Sequence, residues 1–304
     1  MPELPEVETV ASDLHVAVAG ATIRDATISW DRTIRHPQPP ERFVAEIADA
    51  TIRKVGRRAK SVLVHLDDGR VMTVALRMSG NLLVVPEGTP PDPYVRVAFE
   101  LADGRELRYR DVRKFGRIGL WPGGGLRSVG AGRGARSKRV AEDGRTYRIG
   151  EVFSGHGPEP LNSGFTVARL RERLARRSAK LKTLLLDQSF IAGVGNIYAD
   201  EALWWARLHP LRPADTLDDE DVRRLHRAIR KVLRQGIANR GSSISDYVST
   251  DGQPGENAER LMAYRRTDEP CFRCGRAIRR IVVGQRSTHF CPRCQPEPVA
   301  SDGE

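Results

Sequence analysis

All four cysteines of this 304-residue chain fall in one short stretch, as Cys271-Phe-Arg-Cys274 and Cys291-Pro-Arg-Cys294 with sixteen residues between the pairs. The pattern C-x2-C-x16-C-x2-C has the spacing of a zinc ribbon, in which two thiolate pairs meet around one tetrahedral ion. Two disulfides could use the same residues, but a remainder without cysteine argues for a reducing compartment, where thiolates persist. Four thiolates close the coordination sphere, so the expected cofactor is a single structural Zn2+ with no open position for catalysis. A hairpin this small folds on its metal rather than on a core, and Gln285-Arg-Ser-Thr288 would form its tip.

The opposite end of the chain has a different pattern. Residues 1–20 read as a helix closed by Gly20. Ser61-Val-Leu-Val-His-Leu66 and Val71-Met-Thr-Val-Ala-Leu76 flank Asp-Asp-Gly69, and Val95–Leu101 and Glu106–Tyr109 flank Asp103-Gly104. Alternating runs closed by Asp-Gly turns describe antiparallel hairpins, and several of them describe a sandwich. Pro122-Gly-Gly-Gly125 and Gly130-Ala-Gly-Arg-Gly-Ala-Arg-Ser-Lys-Arg139 cannot bury a core and read as a basic tether. From Thr166 to about Arg240 the period becomes helical, with Val222, Leu225, Ile229, Val232 and Leu233 on one face and Asp218 as N-cap. In Asp187–Asn196 a turn containing Gly193 and Gly195 joins two helices. Asn196 either caps the second helix or meets a phosphate at its N-terminus.

The expected fold is therefore α+β. An N-terminal β-sandwich with flanking helices spans 1–121 and a linker 122–155. A helical domain follows over 156–265, and the four-cysteine finger over 266–297.

With 50 Lys+Arg against 39 Asp+Glu, the formal charge is +11, which suits a polyanionic partner such as nucleic acid. No stretch reaches the roughly 18 apolar residues that a membrane span needs. The start, Met1-Pro-Glu-Leu-Pro-Glu-Val-Glu8, is too acidic for a signal peptide. An initiator methionine before proline is normally removed, which would leave a secondary amine beside the Glu3 carboxylate. An α-amine titrates near 7.7–8.0 against about 10.4 for lysine, so at pH 7.5 roughly a third of it is an uncharged nucleophile. The same residues also describe a plain helix start, with proline in the first turn and acids near the positive end of the dipole.

Together these features resemble the bacterial formamidopyrimidine-DNA glycosylases, within the family they share with endonuclease VIII. The likeness is carried by Pro2–Glu8, Arg57-Arg-Ala-Lys60, Arg77-Met-Ser-Gly80, Asp111-Val-Arg-Lys-Phe-Gly116, Gly157-Pro-Glu-Pro-Leu161, Gly193–Ala199, Gln285-Arg286 and the cysteines. The resemblance implies excision of oxidised purines (8-oxoguanine, formamidopyrimidines) from duplex DNA, with the damaged nucleotide flipped from the stack. Strand cleavage by β,δ-elimination would follow from a Schiff base on Pro2.

By position, Glu3 would be the general acid/base, and Lys60 the lysine that assists base loss and elimination. Arg286 and Asn196 would hold the phosphates around the lesion. Met78, Arg113 and Phe115 would fill the space the flipped base leaves, with Arg113 meeting the orphaned partner. Cys271, Cys274, Cys291 and Cys294 would hold the zinc.

The implied protein is a monomer acting on damaged double-stranded DNA in the bacterial cytoplasm, associated with the nucleoid and with no membrane. Two alternatives stay open: an endonuclease VIII-like enzyme for oxidised pyrimidines, and a damage binder without catalysis. Ala75-Leu-Arg77 replaces the usual His-Leu-Gly, Asp111-Val112 replaces Asp-Pro, and the glycine/arginine linker is long for the family.

Overall fold

The computed structural model describes residues 1–123, 149–243 and 253–297. Most of the expected tether, 124–148, lies outside the described residues. The chain forms two compact units, one of Met1–Gly155 with Ile237–Ala258, the other of His156–Gly236 with Glu259–Glu304. A division read along the chain does not provide for 237–258, which the structure packs with the first unit. There the Ser242 amide donates to Glu6 at 2.8 Å, and Arg240 pairs with Asp13 at 2.7 Å.

The first unit opens with α1 (Leu4–Val18), whose Val7, Val10, Ala11, Leu14 and Val18 recur at helical spacing and are buried. The chain leaves the helix at Gly20, whose φ of +87° is the left-handed conformation that glycine adopts without strain. Nine strands follow: β1 (Ile23–Ile28), β2 (Ile34–His36), β3 (Ile52–Arg58), β4 (Ser61–Leu66), β5 (Val71–Ala75), β6 (Gly80–Pro86), β7 (Val95–Leu101), β8 (Arg105–Asp111) and β9 (Arg117–Trp121). They build two sheets, ordered β1-β7-β8-β6 and β2-β9-β5-β4-β3. The β4–β5 and β7–β8 hairpins pair antiparallel across the two Asp-Gly turns. Alternate side chains of both sheets meet α1 in one core that includes Val7, Leu14, Ile52, Val74, Phe99 and Ile118.

Two features depart from a run of antiparallel hairpins. Helix α2 (Pro40–Ile47) interrupts the strands, started by prolines and buried through Phe43 and Ile47, four residues apart. Strand β2 pairs parallel to β9. The end of the expected linker is also structured: α3 (Ile149–Val152) leads to Phe153, which packs on Leu63, Val71 and Trp121.

The second unit holds α4 (Val167–Leu174), α5 (Leu181–Leu186), α6 (Asn196–Ala206) and most of α7 (Asp219–Ala238), then the hairpin β10 (Arg279–Val283) and β11 (Arg286–Phe290). Thr166 caps α4 and Asp218 accepts the Asp221 amide at the start of α7. Val222, Leu225, Ile229, Val232 and Leu233 are all buried. Gly236 lies near the end of α7, shortly before Ala238. It lies inside the helix where a Cβ would come within 2.5 Å of the Tyr198 hydroxyl, so close packing excludes any larger residue. No helix among the described residues is long and apolar enough to cross a membrane.

Candidate active site and metal centre

Three contacts fix the direction of α1 against β3. Glu8 pairs with Arg57 at 2.7 Å, the Val55 amide reaches His15 at 3.4 Å, and the Gly20 amide donates to Ile52 at 2.7 Å. Helix and strand therefore run antiparallel, and the start of α1 points toward the Ala59-Lys60 turn between β3 and β4. The pairs Arg58–Ser61, Ser61–Ala75 and Ala75–Arg117 form a row at that same end of the sheet. From it project the Lys60 turn, the segment 76–79 with Met78, and the segment 112–116 with Arg113 and Phe115. Arg35 joins them because β2 runs parallel to β9, with Ile34 opposite Ile118. Residues far apart in the chain thus converge on one end of the first unit.

At that end Pro2 and Glu3 are buried while Met1 is 47% exposed. Glu3 and Glu6 form a reciprocal cap. The Glu3 carboxylate receives the Glu6 amide, and Glu6 receives the Glu3 amide at 2.8 Å. The second oxygen of Glu6 takes the Ser242 amide, so one buried carboxylate fixes the backbone next to Pro2 and secures 237–258. Met1 lines an open pocket of 460 Å³ with Arg35, Arg77, Met78, Phe115 and Arg117. Burial, then Arg117 and Arg77, holds Arg35 below the usual guanidinium range. Three cations crowded at one mouth favour an anionic ligand.

Lys60 is half-buried on a two-residue turn whose first residue, Ala59, has φ +53° and is 1% exposed. Arg57 braces the turn by donating to the Ala59 carbonyl at 2.9 Å while it pairs with Glu8. Met78 is half-buried, and Arg113 and Phe115 are exposed, with the Arg113 guanidinium 5.1 Å from the Phe115 ring centre. A large apolar ring that is 50% exposed is available to a partner rather than to the core. Lys114 lies 4.0 Å over the Trp30 ring and holds the outer side of the loop.

Beneath these side chains lies Asp111. Its Oδ1 accepts the Ser79 hydroxyl at 2.5 Å and the Arg113 amide at 3.2 Å, and its Oδ2 accepts the Gly116 amide at 2.8 Å and the Tyr109 hydroxyl at 3.3 Å. Ser79 also accepts the Arg113 amide at 3.0 Å, so the two projecting segments are tied to each other. Burial and the nearby Asp111 raise the Tyr109 phenol well above its ordinary range, so it remains a donor. A Cβ on Gly80 or Gly116 would come within 2.5 Å of the Tyr109 oxygen.

In the second unit Gly195, not Asn196, is the N-cap of α6. The Asn196 amide instead donates to the Ser287 carbonyl at 3.0 Å, and its Oδ1 is buried without a hydrogen-bond partner. The turn before it is held by Gln188, which accepts the Gly193 amide at 2.9 Å and donates to the Val194 carbonyl at 2.7 Å. Arg286 is exposed at the start of β11, after a turn in which Gly284 and Gln285 both have positive φ, the geometry of a tight hairpin. Asn196 and the finger tip are therefore neighbours.

All four cysteines are free, which excludes the disulfide alternative. Their sulfurs lie within 4.8 Å of one another, with Cys271–Cys294 at 4.0 Å and Cys274–Cys291 at 3.5 Å. A zinc tetrahedron with bonds of about 2.3 Å has edges of about 3.8 Å, so this donor set fits one closed structural zinc ion. Burial opposes ionisation of Cys271, but the Arg273 amide, the Trp204 indole and further donors bring its thiol down to about 7.

The sequence marked the exposed or reactive groups and missed those that hold them: Glu6, Arg57, Ser79, Tyr109, Asp111 and Gln188. Several of these lie inside quoted motifs, and only burial distinguishes a bracing carboxylate from a catalytic one.

Residues 1–118 match the formamidopyrimidine-DNA glycosylase N-terminal domain, 156–248 its H2TH domain, and 268–296 a zinc finger found in FPG and IleRS. The formamidopyrimidine-DNA glycosylase of Roseiflexus sp. is 45% identical over 97% of this chain and 100% of its own. The crystal structure of the MutM (Fpg) protein from Thermus thermophilus superposes with a TM-score of 0.81 at 38% identity, covering 98% of this chain and 100% of that one. A Lactococcus lactis variant in complex with Fapy-dG-containing DNA gives 0.83 at 31% identity, covering 97% and 100%.

Proposed function

The chain belongs to the formamidopyrimidine-DNA glycosylase family, and from that premise we propose that it excises oxidised purines from duplex DNA and then cuts the strand, with Pro2 as nucleophile. The observation that carries this reading is the convergence of Pro2, Glu3, Lys60, Met78, Arg113 and Phe115 on one end of the first unit, where Met1 lines a cationic pocket.

Removal of Met1 frees a secondary amine at that pocket. The Pro2 nitrogen attacks the sugar C1′ as the glycosidic bond breaks and the base leaves with a proton. Opening of the sugar ring, with a proton delivered by Glu3, gives an iminium. The iminium acidifies the 2′ hydrogen, so loss of that proton expels the 3′ phosphate, and a second elimination expels the 5′ phosphate. Lys60 stabilises the departing phosphate and assists proton transfer. Arg286 and Asn196 hold backbone, which carries no sequence information, whereas Arg113 reads the base left behind. The single zinc, once bound, supplies only the fold of the finger that presents Arg286.

Borohydride should trap a covalent protein–DNA adduct on duplexes carrying 8-oxoguanine or formamidopyrimidine. Pro2→Gly should weaken trapping, and an uncleaved N-terminal tag should abolish it. Efficient trapping by the tagged protein would assign the nucleophile to a lysine instead. Preferential excision of oxidised pyrimidines from a matched panel would move the chain to the endonuclease VIII branch.

A further inference from the structure

Helix α6 faces the finger with residues at i, i+4 and i+8, a single stripe. Asn196 donates to Ser287. Asp200 takes the His289 amide at 2.9 Å and its Nδ1 at 3.0 Å, while pairing with the fully buried Lys182 at 2.7 Å. Trp204, two turns beyond Asn196, packs in one cluster with Cys271, Ile278 and Cys291 and is 2% exposed. Its Nε1–H is buried with no partner at full hydrogen-bond geometry, inside the cluster that holds the Cys271 and Cys291 sulfurs. An indole N–H is only a donor, and leaving it buried without an acceptor is destabilising. Arg273, between the first two cysteines, covers the same ring at 3.7 Å and donates to the Trp204 carbonyl at 2.6 Å and the Trp205 carbonyl at 3.2 Å.

We propose that Trp204 donates its indole N–H to the zinc-bound Cys271 thiolate and so fastens the metal centre to the helix that begins at Asn196. A closed four-thiolate zinc site carries a net charge of about −2, and buried donors and cations around the sulfurs stabilise that charge. Trp204 and Arg273 supply one of each. Trp204 is thus a positioning residue: it acts on the metal through Cys271 and sets the finger tip against the phosphate-binding end of α6. This holds whether or not the proposed reaction is right, because its readouts need no DNA.

The full chain, loaded with cadmium-113 and labelled with nitrogen-15 in its indoles, should show a scalar coupling between the metal and the Trp204 Hε1 across the sulfur. A side chain that only fills space gives none. Trp204→Phe, which keeps most of the ring and loses the donor, should release zinc to a chromogenic chelator about tenfold faster, the lower end for losing a partner of a metal ligand. Absence of the coupling in the unsubstituted protein overturns the proposal, even if Trp204→Phe does not fold. Zinc release within about twofold of the unsubstituted protein overturns the fastening even where the coupling is seen.

Discussion

Glu6, Asp111, Asp200 and Glu201 are among the carboxylates at most 3% exposed, and each collects hydrogen bonds from several donors. Glu201 takes the amides of Met262, Ala263 and Tyr264, which fixes the approach to the finger. A buried carboxylate repays its desolvation only through such donors, so replacing one by its amide inserts an N–H where an acceptor is needed. Asp111→Asn should therefore destabilise the first unit by about 2–3 kcal/mol, measured by denaturant unfolding. It should also loosen the segments carrying Met78, Arg113 and Phe115. Excision opposite each of the four bases should lose its preference among partners, as in Arg113→Ala, where good base contacts are worth about 1–3 kcal/mol. Arg286→Ala should instead weaken binding equally for every partner and make the salt dependence shallower by roughly 0.9 in log–log slope. An Asp111→Asn enzyme that keeps its full opposite-base preference would show that this network does not position the wedge.

The elements divide into those with their own hydrophobic pattern and those defined by a partner. Helices α1 and α7 and the hairpins β4–β5 and β7–β8 were legible because apolar residues recur at 3.6 or 2 and glycine marks the turns. Strand β2, three residues long, has no period to read and exists only because β9 lies beside it. The finger is the extreme case. Beyond the cysteines, the buried apolar residues of its cluster are Trp204, Ala263 and Ile278, too few to hold a fold without metal. Cys291→Ser should lose the zinc and, with it, lesion binding, whereas the first unit, with its own core, should keep its sheet signal in circular dichroism. Loss of that signal together with the metal would contradict the independence of the two units.

On the scale of the whole molecule, titration acts on stability in one main direction. His36, His65 and His209 lie below the ordinary histidine pKa because burial disfavours the imidazolium; Lys54 adds to this at His65. A depressed histidine contributes stability that is complete above the unfolded value near 6.5 and is lost as pH falls through that value toward the folded one. Glu201, raised by burial, works in the opposite sense and gains as pH falls through its folded value. With three histidines acting against one carboxylate, melting temperatures should fall by roughly a few degrees between about pH 7.5 and pH 5.5. A Tm that is flat or rising over that window would contradict the histidine assignments. The zinc site should be kept loaded throughout, since acid also competes for thiolates.

Sequence alone determined what depends on residue type and short spacing. This covers the zinc ligands, the glycine turns, the amphipathic helices, and the family, to which the ordered motifs from Pro2–Glu8 to the cysteines point. Phe115 and Met78 are large apolar side chains of the kind that fill cores, and only the structure placed them on segments projecting from a sheet end. Only the tertiary structure decided that the Lys60 turn, the Met78 segment and the Arg113 segment share that end with Pro2. The pairing row Arg58–Ser61–Ala75–Arg117 and the antiparallel course of α1 on β3 are long-range contacts that no local pattern specifies. The same holds for Glu6, Asp111 and Trp204. A carboxylate or an indole has one chemistry in the sequence, and whether it reacts, braces or solvates is set by which donors and acceptors the fold buries around it.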